Sequence, residues 1–193
     1  MYELGVFVRL DDAVDPQTRK RLEEHMRCFA TGFYGVNDEM LDVLSGEDSF
    51  WVSIIAKVAV DLGKKLFGPS FQHLGERLAS SVEKRLPAKV TVSTPSPDGP
   101  AVSLTVPYKE LSNLADERAD TARGLVSGMT KLIDDVEVIA GQPGSIQVVF
   151  SQYNARTSQG QVISGRKQGD SFQLHLHRTN SLEDIHSYIK RPA

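Results

Sequence analysis

Apolar residues alternate with other residues at the start of the chain. Four of them fall on one side of an extended segment over residues 2–10, namely Leu4, Val6, Val8 and Leu10. This alternation predicts a β-strand. Phe7 makes the opposite side partly apolar as well, so we expect an interior strand of a sheet.

The same alternation returns in the last fifty residues. It predicts a β-meander with strands over residues 146–153, 161–164 and 172–178, separated by glycines. A brief helix over residues 182–189 is expected to close the chain.

A helical spacing of apolar residues dominates residues 16–86. Asp15 and Pro16 form an N-cap followed by proline at the first helical position, and an apolar stripe of Leu22, Met26, Phe29 and Phe33 comes after them. We also expect a short helix carrying Met40, Leu41 and Leu44, a strongly apolar helix over residues 50–67, and a further amphipathic helix from Phe71 to just before Pro87.

The period changes again after residue 88. The turn-rich segment SPDGP at residues 96–100 is flanked by alternating apolar residues, which are Val90 and Val92 before it and Val102, Leu104 and Val106 after it. This pattern predicts a hairpin over residues 89–107. A long helix is expected over residues 109–135.

Together these elements predict an α+β fold. Its mainly antiparallel sheet would combine the N-terminal strand, the central hairpin and the C-terminal meander, packed against amphipathic helices. We expect a single domain over residues 1–193, which could divide into a helix-rich part (1–140) and the β-meander (141–193).

Composition and charge narrow the possible environments and partners. The 193-residue chain has a net charge of −3, which disfavours nucleic-acid binding over its whole surface. Residues 141–193 carry a net charge of +3 and the remainder −6, so a polyanion would bind most readily near the C-terminal end. Cys28 is the only cysteine, and the N-terminal residues show no secretory signal, so we expect a cytoplasmic protein without disulfides.

The sharpest candidate site is the sequence His175-Leu176-His177. Alternation on a strand directs both imidazoles to one side, opposite Phe172, Leu174 and Leu176. The pair could act as general acid and base with Arg178 stabilising an anion, or could bind a metal with His186 as a third ligand. The alternative is an ordinary solvated polar face, which we favour.

The apolar helix predicted over residues 50–67 offers a second candidate. Trp51 lies at one end, and Lys57, Lys64 and Lys65 lie on its polar side. Such a helix could bind a partner or lie in a membrane interface, although core packing produces the same pattern.

Three weaker patterns remain. Arg166 and Lys167 lie in the glycine-spaced stretch GQVISGRKQGD, which could hold a phosphate but fits a solvated hairpin loop better. Asp134 and Asp135 are expected to lie near a helix C-terminus, where acidic residues are unfavourable. His25 and Cys28 are spaced so that they could share a helix face, without a third group to orient them.

No catalytic or cofactor motif is present in the sequence, and no cofactor is expected. We therefore favour a non-enzymatic interaction or regulatory module within a larger assembly, with a protein partner or a second copy of the chain. One alternative is a small hydrolase or nuclease that uses the His-x-His pair. The other is a membrane-active effector that uses the predicted helix over residues 50–67.

Overall fold

The computed structural model describes residues 1–46, 50–58, 87–96, 99–111, 117–141 and 144–189. The described strands are β1 (Tyr2–Leu10), β2 (Leu41–Gly46), β3 (Trp51–Val58), β4 (Lys89–Ser96), β5 (Gly99–Pro107), β6 (Ile146–Asn154), β7 (Gln159–Gln168) and β8 (Ser171–Thr179). The described helices are α1 (Pro16–Tyr34), α2 (Tyr108–Leu111), α3 (Glu117–Ala140) and α4 (Leu182–Ile189).

All eight described strands belong to one sheet in the order β2-β3-β1-β6-β7-β8-β4-β5. Neighbouring strands are antiparallel except for β4 and β8, which are parallel. The molecule is thus an α+β protein with a mainly antiparallel sheet packed against helices, as the sequence predicted. β1 lies between β3 and β6, which confirms that it is an interior strand.

The main core lies between one face of the sheet and the helices α1 and α3; we call this face the helical face. Leu22, Met26 and Ala30 of α1 are fully buried in it, as are Leu125 and Met129 of α3. Helix α1 begins as predicted, because the Asp15 carboxylate accepts hydrogen bonds from the backbone N–H groups of residues 17 and 18, both at 3.0 Å.

Helix α3 approaches β7 closely at Gly165. A Cβ atom at this position would overlap Met129 of α3 and Phe172 of β8. The missing side chain therefore allows the helix to pack directly on the sheet.

The opposite face of the sheet, which we call the second face, carries a smaller apolar cluster. Its buried members are Phe7, Ile55, Val149, Val162 and Ile185. Ile185 belongs to α4, so the C-terminal helix covers part of this face.

The predictions for residues 37–58 are wrong. Asp38–Met40 form one 3₁₀ turn instead of the start of a helix, and β2 and β3 follow it as an antiparallel pair. β3 lies between β2 and β1 and is covered on both faces, so the neighbouring residues Ile54 and Ile55 are both buried although they point in opposite directions. The rest of the apolar helix predicted over residues 50–67, and the one predicted from Phe71 to before Pro87, lie outside the described residues.

The hairpin and the C-terminal elements are confirmed. β4 pairs with β5 in the register Val92 to Leu104, while residues 97 and 98 lie outside the described part. The three strands of the meander and α4 are present, and β7 extends to Gln168, four residues beyond the predicted end. Helix α3 continues to Ala140, so Asp134 and Asp135 do not lie at its C-terminus as expected.

Candidate functional site

The histidine pair of β8 lies on the second face of the sheet. Phe172 and Leu174 are fully buried on the helical face, as predicted, whereas Leu176 near the strand end is only half-buried against the same core. His175 is exposed and His177 is half-buried on the opposite side of the strand. Alternation along β8 therefore separates the imidazoles from the core as expected.

The surroundings of the three candidate histidines differ. His175 lies across from Ser93 of β4 and Ser164 of β7, and His177 lies across from Val162. His186, on α4, donates from Nε2 to the carboxylate of Glu3. Within the described ranges, no group of three or more histidine, cysteine, aspartate or glutamate side chains is placed to hold a metal ion.

Arg178 lies on the other face of β8 from His177. Its cross-strand neighbour is Gln161 of β7, which in turn pairs with Gln152 of β6. Adjacent residues of a strand point to opposite faces, so the guanidinium does not share a face with the two imidazoles. The structure thus brings Arg178 to a different part of the molecule.

That part is a polar cleft at one end of the helical face, where β1, β6, β7 and β8 meet; we call it the amide cleft. Its volume is about 210 Å³. Five of the residues that line it carry side-chain amides: Gln152, Asn154, Gln159, Gln161 and Asn180. The others are Tyr2, Thr157, Gly160, Arg178 and Thr179.

The register of the strands explains how residues distant in sequence meet here. Leu4 pairs with Gln152, Gln152 with Gln161, and Gln161 with Arg178, which makes one row across four strands. The next row toward the strand ends contains Tyr2, Asn154 and Gln159. Polar residues therefore replace the apolar core in the last rows of the helical face.

Hydrogen bonds fix two walls of the amide cleft. Asn154 donates from Nδ2 to the Tyr2 hydroxyl at 3.1 Å and accepts from the backbone N–H of Arg156 at 3.0 Å. On the other side, the Thr179 hydroxyl donates to Asp184 at 2.8 Å. The Tyr2 hydroxyl accepts from Asn154 and keeps its own proton to donate.

Gln161 differs from these residues. Its side chain is 5% exposed, and its Nε2 is buried without a hydrogen-bond partner among the described residues. A buried donor in this state is destabilising by about 1–3 kcal/mol. A buried amide oxygen, Oε1 of Gln152, lies on its cross-strand neighbour in β6. Both atoms are buried below the protein surface, so the accessible lining of the cleft does not include this donor.

The charge of the lining comes from one residue. Among the described residues that line the cleft, Arg178 alone is charged. The carboxylate of Asp184 lies behind Thr179, in the first turn of α4, where the helix N-terminus favours a negative charge. The lining itself thus combines one cation with neutral amides and hydroxyls.

The opposite end of the helical face contains Lys167, one of the two basic residues predicted in a loop. That prediction is wrong, because Arg166 and Lys167 lie within β7 and point to opposite faces. Lys167 Nζ lies 2.8 Å from Asp134 Oδ1 and 3.3 Å from Glu137 Oε2. Burial acts to lower the pKa of Lys167, but the hydrogen bonds and charges of these two carboxylates outweigh it and raise the pKa above its ordinary value.

The remaining sequence candidates are scattered. Trp51 is half-buried on the second face, with its ring centroid 6.3 Å from that of Phe7, and Lys57 is exposed on β3. Lys64 and Lys65 lie outside the described residues. His25 Nε2 lies 3.7 Å from Oδ2 of Asp135 in α3. Cys28 is exposed on α1.

Sequence reasoning did not identify Tyr2, Gln152, Asn154 or Gln161 as site residues. A signal was present for Gln152 and Gln161, because each occupies a position where alternation along its strand calls for an apolar side chain. The convergence of these strand ends depends on pairing between residues more than a hundred positions apart, which a local pattern does not reveal.

Comparisons with known proteins add no relative. No protein-family model, curated protein or solved structure matches this chain. Among the described helices, none is both long enough and apolar enough to cross a membrane.

Proposed function

We propose that this protein is a non-enzymatic interaction module whose amide cleft binds a polar group of its partner molecule. The observation that carries the proposal is the polar lining of the cleft, where five amide side chains and the Tyr2 hydroxyl meet at the end of the core. Amide and hydroxyl groups in a concave site can form hydrogen bonds with a bound polar group.

The rest of the cleft is suited to recognition. Asn154 and Tyr2 hold each other in place, so their positions do not have to be fixed when a ligand binds. The cleft walls offer amide and hydroxyl groups that can both donate and accept hydrogen bonds. These features favour selective binding over chemistry on a bound substrate.

The hydrolase alternative has less support. It depends on His175, His177 and Arg178 acting at one reaction centre, and Arg178 lies on the opposite face of the sheet. The membrane alternative depended on a helix that begins at residue 50, and residues 51–58 form a strand. Neither alternative has an observation of its own to recommend it.

The proposal is tested by screening small polar compounds against three proteins with ligand-observed NMR and thermal unfolding. The wild type is compared with Gln161→Leu, which removes the buried donor, and with Gln173→Leu, a matched change at an exposed glutamine of β8. We expect compounds that bind the wild type and Gln173→Leu but not Gln161→Leu. At a ligand concentration of 100 times Kd, binding should stabilise the native state by about 2.7 kcal/mol.

The opposite result is also well defined. If every compound that binds the wild type binds Gln161→Leu equally well, the amide cleft is not the binding site and the proposal fails.

A further inference from the structure

We infer that strand β5 is a dimerisation edge, along which the same strand of a second copy of this chain pairs in antiparallel orientation. The inference goes beyond the amide cleft, whose described lining includes no residue of β5. It follows from the position of β5 in the sheet, from the absence of charge in its sequence and from the hydroxyl pairs along it.

The position of β5 leaves one side of the strand available. β5 is the last strand in the sheet order, and its one neighbour among the described strands is β4. The outer side of an edge strand carries backbone N–H and C=O groups that can pair with another chain. Pro100 and Pro107 have no N–H group, so residues 101–106 between them form the segment to which a further strand can add.

The two edges of the sheet differ in their protection against such pairing. Native edge strands commonly carry a charged side chain, which opposes the addition of a further strand. The strand at the other edge, β2, has six residues and includes the exposed Asp42. β5 has nine residues, and none of them is charged. The sequence therefore protects the β2 edge and leaves the β5 edge able to accept a partner.

The hairpin formed by β4 and β5 would gain a neighbour from such a partner. β4 pairs with β8 over residues 89–93, and beyond Ser93 the hairpin has two strands within the described part of the sheet. Ribbons of two strands are only marginally stable in water, whereas three strands with an apolar face can be stable. A strand added along β5 would supply the third strand.

The hydroxyl groups of the hairpin favour a second copy as the partner. The hydroxyls of Thr91 and Thr105 lie 2.8 Å apart, and those of Ser93 and Ser103 lie 2.7 Å apart. Ser103 and Thr105 are both exposed. Two antiparallel β5 strands centred on Leu104 place Ser103 opposite Thr105 of the second copy. Each hydroxyl can donate one hydrogen bond and accept two, so the row of hydroxyl pairs can continue from one copy into the other.

The same register matches the remaining positions of β5. Residues 102, 104 and 106 are apolar, and this register places residue 102 opposite residue 106 of the second copy and residue 104 opposite its own counterpart. The two-fold axis is perpendicular to the sheet, so the helical faces of both copies lie on the same side. The two sheets would thus join into one without bringing any charged residue of β5 into the contact.

Analytical ultracentrifugation of the full chain, from micromolar to millimolar concentration, measures this association. We expect the wild type to convert from monomer to dimer as the concentration rises. Ser103→Lys and Thr105→Glu should each weaken the dimer about tenfold or more, because each places a charge at the pairing edge. Ser45→Lys is the matched control, since Ser45 is exposed on β2, and this variant should dimerise like the wild type.

A mixture of the two β5 variants tests the register. In the register centred on Leu104, the Ser103→Lys side chain of one copy lies opposite the Thr105→Glu side chain of the other. The mixture should therefore form a mixed dimer more tightly than either variant pairs with itself. Urea unfolding of the dilute variants, with a transition like that of the dilute wild type, shows that they have kept the fold.

Hydrogen exchange supplies a second readout that needs no substitution. Backbone amides within residues 101–106 of the wild type should gain protection as the protein concentration rises, whereas the amides of β2 should not. This protection, together with recovery of the dimer in the mixture, would support the inference.

Three results would count against it. A wild type that stays monomeric up to millimolar concentration would overturn the inference. A dimer that Ser45→Lys weakens and Ser103→Lys does not would place the interface on β2 and overturn it as well. If both β5 variants weaken the dimer and their mixture does not recover it, the register centred on Leu104 is wrong.

Discussion

The two ends of the helical face bury polar side chains in contrasting ways. At one end Lys167, with a side chain 15% exposed, lies between the carboxylates of Asp134 and Glu137. At the other end Gln161, 5% exposed, places a side-chain donor where no described residue accepts from it. The first arrangement is complete within the chain, and the second is open.

This difference separates a buried polar group that stabilises the fold from one that does not. A buried polar group with its partners in place holds the fold, and removing one partner leaves the others uncompensated. A buried polar group without a partner adds no hydrogen bond to the free protein, and Gln161 shares this state with core groups such as the hydroxyls of Ser53 and Thr130. Lys167 and Gln161 both lie on the helical face of β7, so the presence or absence of hydrogen-bonding partners decides how much each side chain stabilises the fold.

The largest expected effect on stability is at the end of the helical face that contains Lys167. Lys167→Met keeps the aliphatic stem and removes the charge, which leaves Asp134 and Glu137 close together without a cation. We expect the free energy of unfolding to fall by about 2 kcal/mol, measured by urea denaturation. Lys131→Met is the control, because Lys131 forms an exposed ion pair with Asp135 at 3.6 Å and should contribute less than about 0.5 kcal/mol. Equal losses in the two variants would mean that burial does not strengthen the Lys167 contacts.

The pH dependence of stability sharpens the same comparison. The pKa of Lys167 is raised in the folded protein, so its stabilising contribution is fully present below the ordinary lysine value of 10.5 and is lost as the pH rises through the higher folded value. The difference in unfolding free energy between wild type and Lys167→Met should therefore be constant from pH 7 to 10 and shrink above that. Burial raises the pKa of Tyr34, which also lowers stability at high pH, but this contribution is present in both proteins and cancels. A difference that stays constant up to pH 12 would contradict the role assigned to the charge.

A smaller effect is expected from two glutamines of the β6–β7 hairpin. Gln147 donates from Nε2 to the Ser164 hydroxyl at 2.9 Å, whereas Gln161 Nε2 has no partner among the described residues. Gln147→Leu should lower the free energy of unfolding by about 1 kcal/mol, and Gln161→Leu should leave it unchanged or raise it slightly. Thermal or urea unfolding of the free proteins measures both. A loss of 1 kcal/mol or more in Gln161→Leu would show that this side chain serves the fold.

The same two ends show why parts of the fold escaped the sequence analysis. The strand over residues 159–168 was predicted only for 161–164, because Lys167 occupies a core-facing position and interrupts the alternation. Lys167 can be buried at this position because its ammonium group pairs with Asp134 and Glu137, which lie thirty or more residues earlier in the chain. The pattern of neighbouring residues does not reveal partners so far away in the sequence.

The wrong helices have a different cause. An interior strand covered on both faces has apolar residues on both sides, so Ile54 and Ile55 satisfy a helical period as well as they satisfy a buried strand. The predictions succeeded for β1, α1, the central hairpin and the C-terminal meander, where caps, turns or clear alternation supplied a second signal. For the candidate site, alternation along β8 places Arg178 on the face opposite His177, so the hypothesis that grouped Arg178 with the imidazoles is wrong on this point. The other residues that line the amide cleft with Arg178 come together in part through the long-range pairing of β1 with β6.

The smallest effect on stability is expected on the second face of the sheet, which contains neither Lys167 nor Gln161. His175 is exposed and His177 is half-buried, so replacing both with alanine should change the free energy of unfolding by only about 0.5 kcal/mol. Ligand binding in the amide cleft should be unaffected, because Arg178 and Gln161 lie on the other face of the sheet. If the histidines instead acted as acid and base, the double variant would lose about two to four orders of magnitude of hydrolytic rate with its fold intact. A screen with ester and phosphodiester substrates, run on the wild type and on the folded double variant, distinguishes these outcomes. A large loss of rate in the double variant would show that the protein is an enzyme and would contradict the proposed interaction module.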